Sequence, residues 1–400
     1  MNRRTFIKLS AVSVAALMTG CGVDEKTLEV KFLRQIVTKN ISGKRLVMWQ
    51  VDEPLQNPSV ETGVNGDTKI FPAQDASFTD DGQKRIQYAA QIDSGDVYRI
   101  VDGEVATAWY EMKNISGDDF KAIIFSDSQC GGGYDTWGEL ARHAIERNSD
   151  ADFFVDLGDI VDNGEDTTQW EDWLAQIGKF APQIPFAPVM GNHETYSREW
   201  TVRTPEAYLN YFATPDNGDK NFSRRFYSFE VGAAHFAVLD SQWDELGREI
   251  IDAQKNWLRQ DLSSTDKPWK IIFIHKDVLQ YRINGRPERP EGFSDVGKIF
   301  MPEFESLGVD AVFTGHLHTY RNRGRLKNFQ DDEKGTLYIL SGLSGNVRYS
   351  GLWINHALDK TIAPQPETDN YLVLAGDEDK LSVKCFLPDG ELIDEVTLKK

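Results

Sequence analysis

Five short segments of this 400-residue chain combine side chains that hold cations or move protons. They are Asp127-Ser128-Gln129, Gly158-Asp159 with Asp162 three residues on, Gly191-Asn192-His193-Glu194, His275, and Gly315-His316-Leu317-His318. Four of the seven histidines fall within them. A carboxylate such as Asp159 can bridge two cations, and neutral imidazoles and amide oxygens can fill the remaining coordination positions. With no thiolate among the donors, the set suits Fe, Mn or Zn in a catalytic role rather than a closed structural zinc site. Singly, a Gly-Asp pair after a strand reads as a turn and a lone histidine as a packed residue; the signal is their joint occurrence.

Each segment follows an apolar run of strand length: Lys121–Ser126, Phe153–Leu157, Phe186–Met190, Lys270–Ile274 and Ala311–Thr314. Helical periodicity marks Thr136–Arg147, Gln169–Phe180 and Ala253–Asp261 between them. This alternation predicts βαβ units and a buried, largely parallel sheet. In such a sheet the carboxyl ends of the strands converge on one crevice, so segments distant in sequence can meet there. A hairpin of Phe226–Glu230 with Ala234–Leu239, a strand Leu337–Leu340, and antiparallel strands Tyr371–Ala375, Lys380–Phe386 and Glu391–Thr397 complete this part. Ahead of it, Arg45–Val51, Arg85–Ile92, Val97–Val101 and Ala106–Lys113 are short β segments between Gly, Pro, Asn and Asp clusters. They predict a small β-sandwich that positions rather than reacts.

In order and spacing, Asp127-x-Gln129, Gly158-Asp159-x-x-Asp162, Gly191-Asn192-His193-Glu194, His275 and Gly315-His316-x-His318 resemble the calcineurin-like metallophosphoesterase superfamily. Tyr227-Ser228-Phe229, Trp257-Leu258, Lys267-Pro268-Trp269 and Tyr320 after His318 look most like its purple acid phosphatase branch. The resemblance implies an α/β fold, a four-layer α/β/β/α sandwich over 118–400, preceded by a small all-β sandwich over 22–117. It implies a dinuclear centre of two divalent or trivalent ions (Fe, Mn or Zn). Asp127, Gln129, Asp159 and His318 would hold the first; Asp159, Asn192, His275 and His316 the second. His193 would be the general acid and Asp162 its hydrogen-bonded support. Phosphate esters would be hydrolysed by attack of a metal-bridging hydroxide. The alternatives are a phosphodiesterase or nucleotidase of the same fold, or an inactive surface-binding lipoprotein. Tyr320, Arg321 and Arg323 are candidate substrate contacts. Two departures stand out: Gln129 replaces the superfamily's usual histidine, and Asp162 stands where purple acid phosphatases carry the tyrosine that colours them. A protein without the purple band is therefore expected.

The first 20 residues read as an address. Arg3-Arg4-Thr5-Phe6-Ile7-Lys8 and the mostly apolar run to Gly20 resemble a twin-arginine export signal, and Met18-Thr19-Gly20-Cys21 resembles a lipobox. An exported, lipid-anchored protein at the periplasm or outer surface of a bacterial envelope is expected, tethered to membrane through Cys21. Removing residues 1–20 takes three basic residues and no acid, so the net charge of −19 becomes −22. That acidity argues against a nucleic-acid backbone as partner and leaves a phosphate-ester substrate to be met by local positive charge from metals. Cys130 and Cys385 are expected to be free thiols.

Overall fold

The computed structural model describes residues 27–364 and 368–400; the export signal and Cys21 lie outside the described residues. Two sheets stack face to face at the centre. In the first, Phe120–Phe125, Phe153–Asp156 and Phe186–Pro188 run parallel, with the antiparallel meander Tyr371–Gly376, Lys380–Phe386 and Leu392–Lys399 on one side. In the second, Ala234–Leu239, Trp269–Ile274, Ala311–Thr314 and Thr336–Leu340 run parallel between two antiparallel flanks.

Residues of a strand point alternately to its two faces, and here both faces are buried. Ala122, Ile124, Phe153, Val155, Ile271 and Phe273 enter the core between the sheets. Their neighbours Ile123, Phe125 and Phe154 pack outward against helices Asp135–Arg147 and Thr167–Ile177. Ile272 and Ile274 pack against helices Ile250–Ser264 and Asp295–Leu307. Continuous apolar strands thus produce helix, sheet, sheet and helix layers, as expected. Phe236 fixes the inner layer, stacking on Phe229 and Phe273 at 5.0 and 5.6 Å and meeting Phe120 and Phe153 edge-on.

The expected helices form, with ends shifted by a few residues. Helix Asp295–Leu307 is an addition: Gly297 and Pro302 disguise it in the sequence, yet the Ser294 hydroxyl accepts from Gly297 N–H and Gly308 closes it with φ +68°. In the amino-terminal part, strands form at Lys44–Val51, Gln83–Asp93 and Val97–Asp102, but Ala106–Lys113 is only two short pieces, Val105–Ala106 and Tyr110–Glu111. A hairpin of Pro58–Val64 with Asp67–Pro72 also forms there. Its Asn65-Gly66 turn has φ +50° and +91°, the positive pair a tight hairpin turn requires.

The two β layers of this module enclose Val47, Trp49, Val60, Tyr88, Tyr98 and Ile100. One layer continues the first central sheet: Lys31–Ile36 lies parallel to Phe186–Pro188, with Ile36 opposite Phe186. Buried Arg34 donates to the Tyr211 carbonyl at 2.7 Å, and Gln35 and Tyr98 both donate to the Pro182 carbonyl. The module is fastened to the strand that leads into Asn192 and His193. Cys130 and Cys385 are buried and free.

Candidate metal centre

All five segments lie just beyond the carboxyl ends of parallel strands in the two sheets. The chain must turn sharply there, and Asp127, Asp159, His316 and His318 have φ of +50°, +54°, +78° and +53°. Left-handed backbone costs a residue with a side chain roughly 1–3 kcal/mol and persists only where surrounding structure fixes it. The fixing contacts are visible. Asp127 N–H donates to Gly158 O and Gln129 N–H to Asp159 O, both at 3.0 Å, and His316 N–H donates to the Asp127 carboxylate at 3.0 Å. Gly191 is required because a Cβ there would overlap the backbone nitrogen and carboxylate of Asp159.

Glu194 ties two of the loops together. Its buried carboxylate accepts from the N–H groups of Asp159, Ile160, Val161 and Gly191 at 3.0, 2.8, 3.3 and 2.6 Å. Burial and the nearby Asp159 charge raise its pKa to about 7. The sequence shows Glu194 only as the residue after His193, and nothing in its type announces this bracing role. Ser126, another unforeseen member, donates its hydroxyl to Asp127 at 2.5 Å.

The side chains gather as two overlapping groups. Donor atoms of Asp159, His275 and His316 lie within 4.8 Å of one another, as do those of Asp127, Asp159 and His318; Asp159 belongs to both. Asn192 Oδ1 is 3.2 Å from His275 Nε2. Nδ1 of His275 faces the Leu157 carbonyl at 2.9 Å and Nδ1 of His318 the Val347 carbonyl at 2.6 Å. A carbonyl only accepts, so each Nδ1 carries a proton and Nε2 is the nitrogen left to meet a cation, in His275 once its own proton has been displaced. Both side-chain polar atoms of buried Gln129, and Nδ1 of His316, have no hydrogen-bond partner. Leaving such atoms unsatisfied costs roughly 1–3 kcal/mol each, and carboxylate, imidazole and amide donors suit oxygen- and nitrogen-binding cations. The residues fit a metal centre.

The charges agree. Burial opposes ionisation of Asp159, but His275 and His193 hold it well below the usual carboxylate range. Burial and His275 lower His316 to about 3, leaving it neutral. Burial would depress His275 as well, yet Asp159 and Asp127 raise it to about 9. His193 stands beside the groups, with Nε2 3.9 Å from Asp159 Oδ2. Its Nδ1 is 2.7 Å from the backbone carbonyl of Asp162, whereas the Asp162 carboxylate is at 3.6 Å. The support expected from the Asp162 side chain therefore comes mainly from its main chain.

The three candidate substrate contacts are corrected. Tyr320, Arg321 and Arg323 are fully buried. Tyr320 donates to Asp394 at 2.7 Å; Arg321 donates to Asp359 at 2.8 Å; Arg323 donates to Asp277 at 2.6 Å and to the Tyr281 hydroxyl at 2.9 Å. Spacing from His318 placed them near the site in sequence, but all three turn inward, and from strand Arg321–Lys327 the two arginines neutralise the buried carboxylates of Asp359 and Asp277. Two hollows of about 640 and 570 Å³ line the junction with the amino-terminal module and contain none of the ligand side chains. Hollow size alone would misplace the site.

A family model described as calcineurin-like phosphoesterase matches residues 120–320, a span holding all seven donor residues and His193. Purple acid phosphatase 15 of Arabidopsis thaliana is 30% identical over 213 residues, covering 52% of this chain and 38% of that protein. Purple acid phosphatase 18 of the same plant is 31% identical over 185 residues, covering 44% and 40%. The chain thus spans about two fifths of these relatives' length. The solved structure of purple acid phosphatase PPD1 from yellow lupin (Lupinus luteus) seeds superposes with a TM-score of 0.75 at 18% identity, covering 92% of this chain and 74% of that one. That likeness shows a shared fold.

The charge pattern sets how cation uptake depends on pH. In the metal-free protein His275 keeps its proton up to about pH 9, and a cation must displace it. Apparent affinity should rise from pH 7 to 9, with proton release on binding. Calorimetry in buffers of different ionisation enthalpy measures both; flat affinity with no proton release contradicts the assignment.

Proposed function

This chain belongs to the calcineurin-like phosphoesterase family, and from that premise we propose that it hydrolyses phosphate esters at a dinuclear metal centre. The observation that carries this reading is the pair of donor groups sharing Asp159, with His193 beside them. Asp127, Gln129, Asp159 and His318 would hold one cation, and Asp159, Asn192, His275 and His316 the other. Cations held there would supply Lewis-acid stabilisation of phosphoryl oxygens and a more acidic water.

The remaining work falls to the protein. The carbonyl of Asp162 fixes Nδ1 of His193 as a donor, which turns Nε2 toward the donor groups. Burial works against a proton on His193, but Asp159 and the Asp162 carbonyl outweigh it and hold its pKa above the usual imidazole value. The protonated imidazole would stand next to the position where a departing oxygen gains negative charge and donate its Nε2 proton there. Glu194 holds the Asp159 loop against the Asn192 loop, so acid and donor groups keep one spacing.

Metal-loaded protein should turn over an aryl phosphate monoester, and parallel assays with a diester establish which class it prefers. His193→Ala should lower kcat by about 10²- to 10⁴-fold with metal content retained. Asp159→Ala should lose metal and activity together. Tight metal binding by the wild type with no turnover of monoester or diester would instead support the binding-lipoprotein reading.

We also propose that the protein acts at the bacterial cell envelope as an exported lipoprotein, on the support of Arg3, Arg4 and Cys21 in the sequence. Cys21→Ser should move it from the membrane to the soluble fraction; an unchanged distribution contradicts the anchor.

A further inference from the structure

Aromatic rings border the donor groups, and neither cation binding nor proton transfer employs them. On the His193 side, Trp200 and Tyr196 meet the imidazole edge-on, with centroids 5.8 and 5.7 Å away. Their own rings are 5.9 Å apart. On the His318 side, Tyr349 lies 4.8 Å from the imidazole and is 38% exposed. Trp200 is 56% exposed, the less expected state for an indole.

Trp200 is held there at a cost. Tyr196 pairs with Val202, Ser197 N–H donates to Thr201 O, and Trp200 N–H donates to Ser197 O at 2.9 Å, which closes a tight hairpin. Trp200 itself has φ +62°, a conformation unfavourable for a bulky residue. Asn163 donates its side-chain N–H to Ser197 O at 2.6 Å, linking the hairpin to the loop of Asp159 and Asp162. From the other direction, Arg198 and Arg203, which flank Trp200, are paired with Asp81 and Asp80 of the amino-terminal β module. These cations are committed to carboxylates, so the surface the hairpin offers beside His193 is an aromatic one.

Position decides what that surface touches. The proton on His193 goes to the departing oxygen, so the leaving group lies beside His193, while the transferred phosphoryl lies over the donor groups. We propose that Trp200, seconded by Tyr196, is a platform for the leaving group, and that the substrates are phosphate esters whose leaving group is a flat aromatic: an aryl alcohol or a nucleoside. Building on the hydrolase reading above, the step balances simply. Water forms the new P–O bond, the ester P–O bond breaks, the departing oxygen takes the His193 proton, and a proton from the attacking water restores the imidazolium by the end of turnover. An offset-stacked or edge-on ring on Trp200 would share the leaving group's burial and orientation.

The test compares wild type, Trp200→Ala and Trp200→Phe on phenyl phosphate, adenosine 5′-monophosphate and glycerol phosphate. The alanine variant should lower kcat/KM about fivefold to tenfold on an aromatic substrate and change glycerol phosphate by less than about twofold, with phenylalanine restoring most of the loss. A loss confined to phenyl phosphate identifies an aryl leaving group, and one confined to the nucleotide identifies a nucleoside. Calorimetric binding of phenylphosphonate against methylphosphonate gives a second readout: the wild type should prefer the phenyl compound and Trp200→Ala should lose that preference. Equal effects on all three substrates, or no effect on any, overturn the platform while leaving the hydrolase reading intact. If the wild type turns over none of them and no diester either, the hydrolase reading falls, and the phosphonate pair still decides whether Trp200 selects a flat ring.

Discussion

Four backbone N–H groups converge on one buried carboxylate, that of Glu194, and the geometry of the centre depends on that convergence. Three belong to the turn that carries Asp159 and the fourth to Gly191, next to Asn192. A helix or sheet would satisfy such amides within itself; here the chain has left its strands and turned too sharply to do so. Glu194 supplies the missing acceptors and in doing so locks two ligand-bearing loops together. The arrangement also concentrates negative charge: Glu194, Asp127 and Asp159 lie close together out of water, and both Glu194 and Asp127 are pushed toward their neutral forms by burial. Buried acids assembled in this way need positive partners. In the protein alone they come from His275 and His193; a pair of cations would meet the same need.

The fold supplies the rest of the constraint. Two sheets stacked through Phe236 and its neighbours present the ends of their parallel strands on one side, so ligands from both reach a common centre. The strain at Asp127, Asp159, His316 and His318 is borne by rigid strands immediately before each turn. The amino-terminal β module is part of the same structure. Its first strand extends the central sheet next to Phe186, and its Asp80 and Asp81 brace the hairpin that presents Trp200. A module read from sequence as a positioning element thereby touches the rim of the centre.

The legible part of the centre was the part written in local pattern. Asp127, Asp159, Asn192, His275, His316 and His318 each follow an apolar strand, and parallel topology brings strand ends together whatever their separation in sequence. Side-chain direction was not legible. Arg321 and Arg323 stand three and five residues after His318, but only the register of their strand turns them toward Asp359 and Asp277 and away from the centre. Glu194 was hidden because its partners are main-chain groups, which carry no sequence identity. Helix Asp295–Leu307 was masked by Pro302, a case of tertiary packing overriding local propensity. The pairing of Lys31–Ile36 with Phe186–Pro188 joins segments about 150 residues apart, and no short-range pattern encodes it.

The shared role of Asp159 is the claim on which the metal centre stands. Anomalous diffraction from metal-loaded crystals, read together with the metal content of the dissolved protein, tests it most directly. Two cation peaks per chain, one on each side of the Asp159 carboxylate, with two equivalents in solution, are predicted. A single peak, or peaks that leave Asp159 uncoordinated, would contradict it.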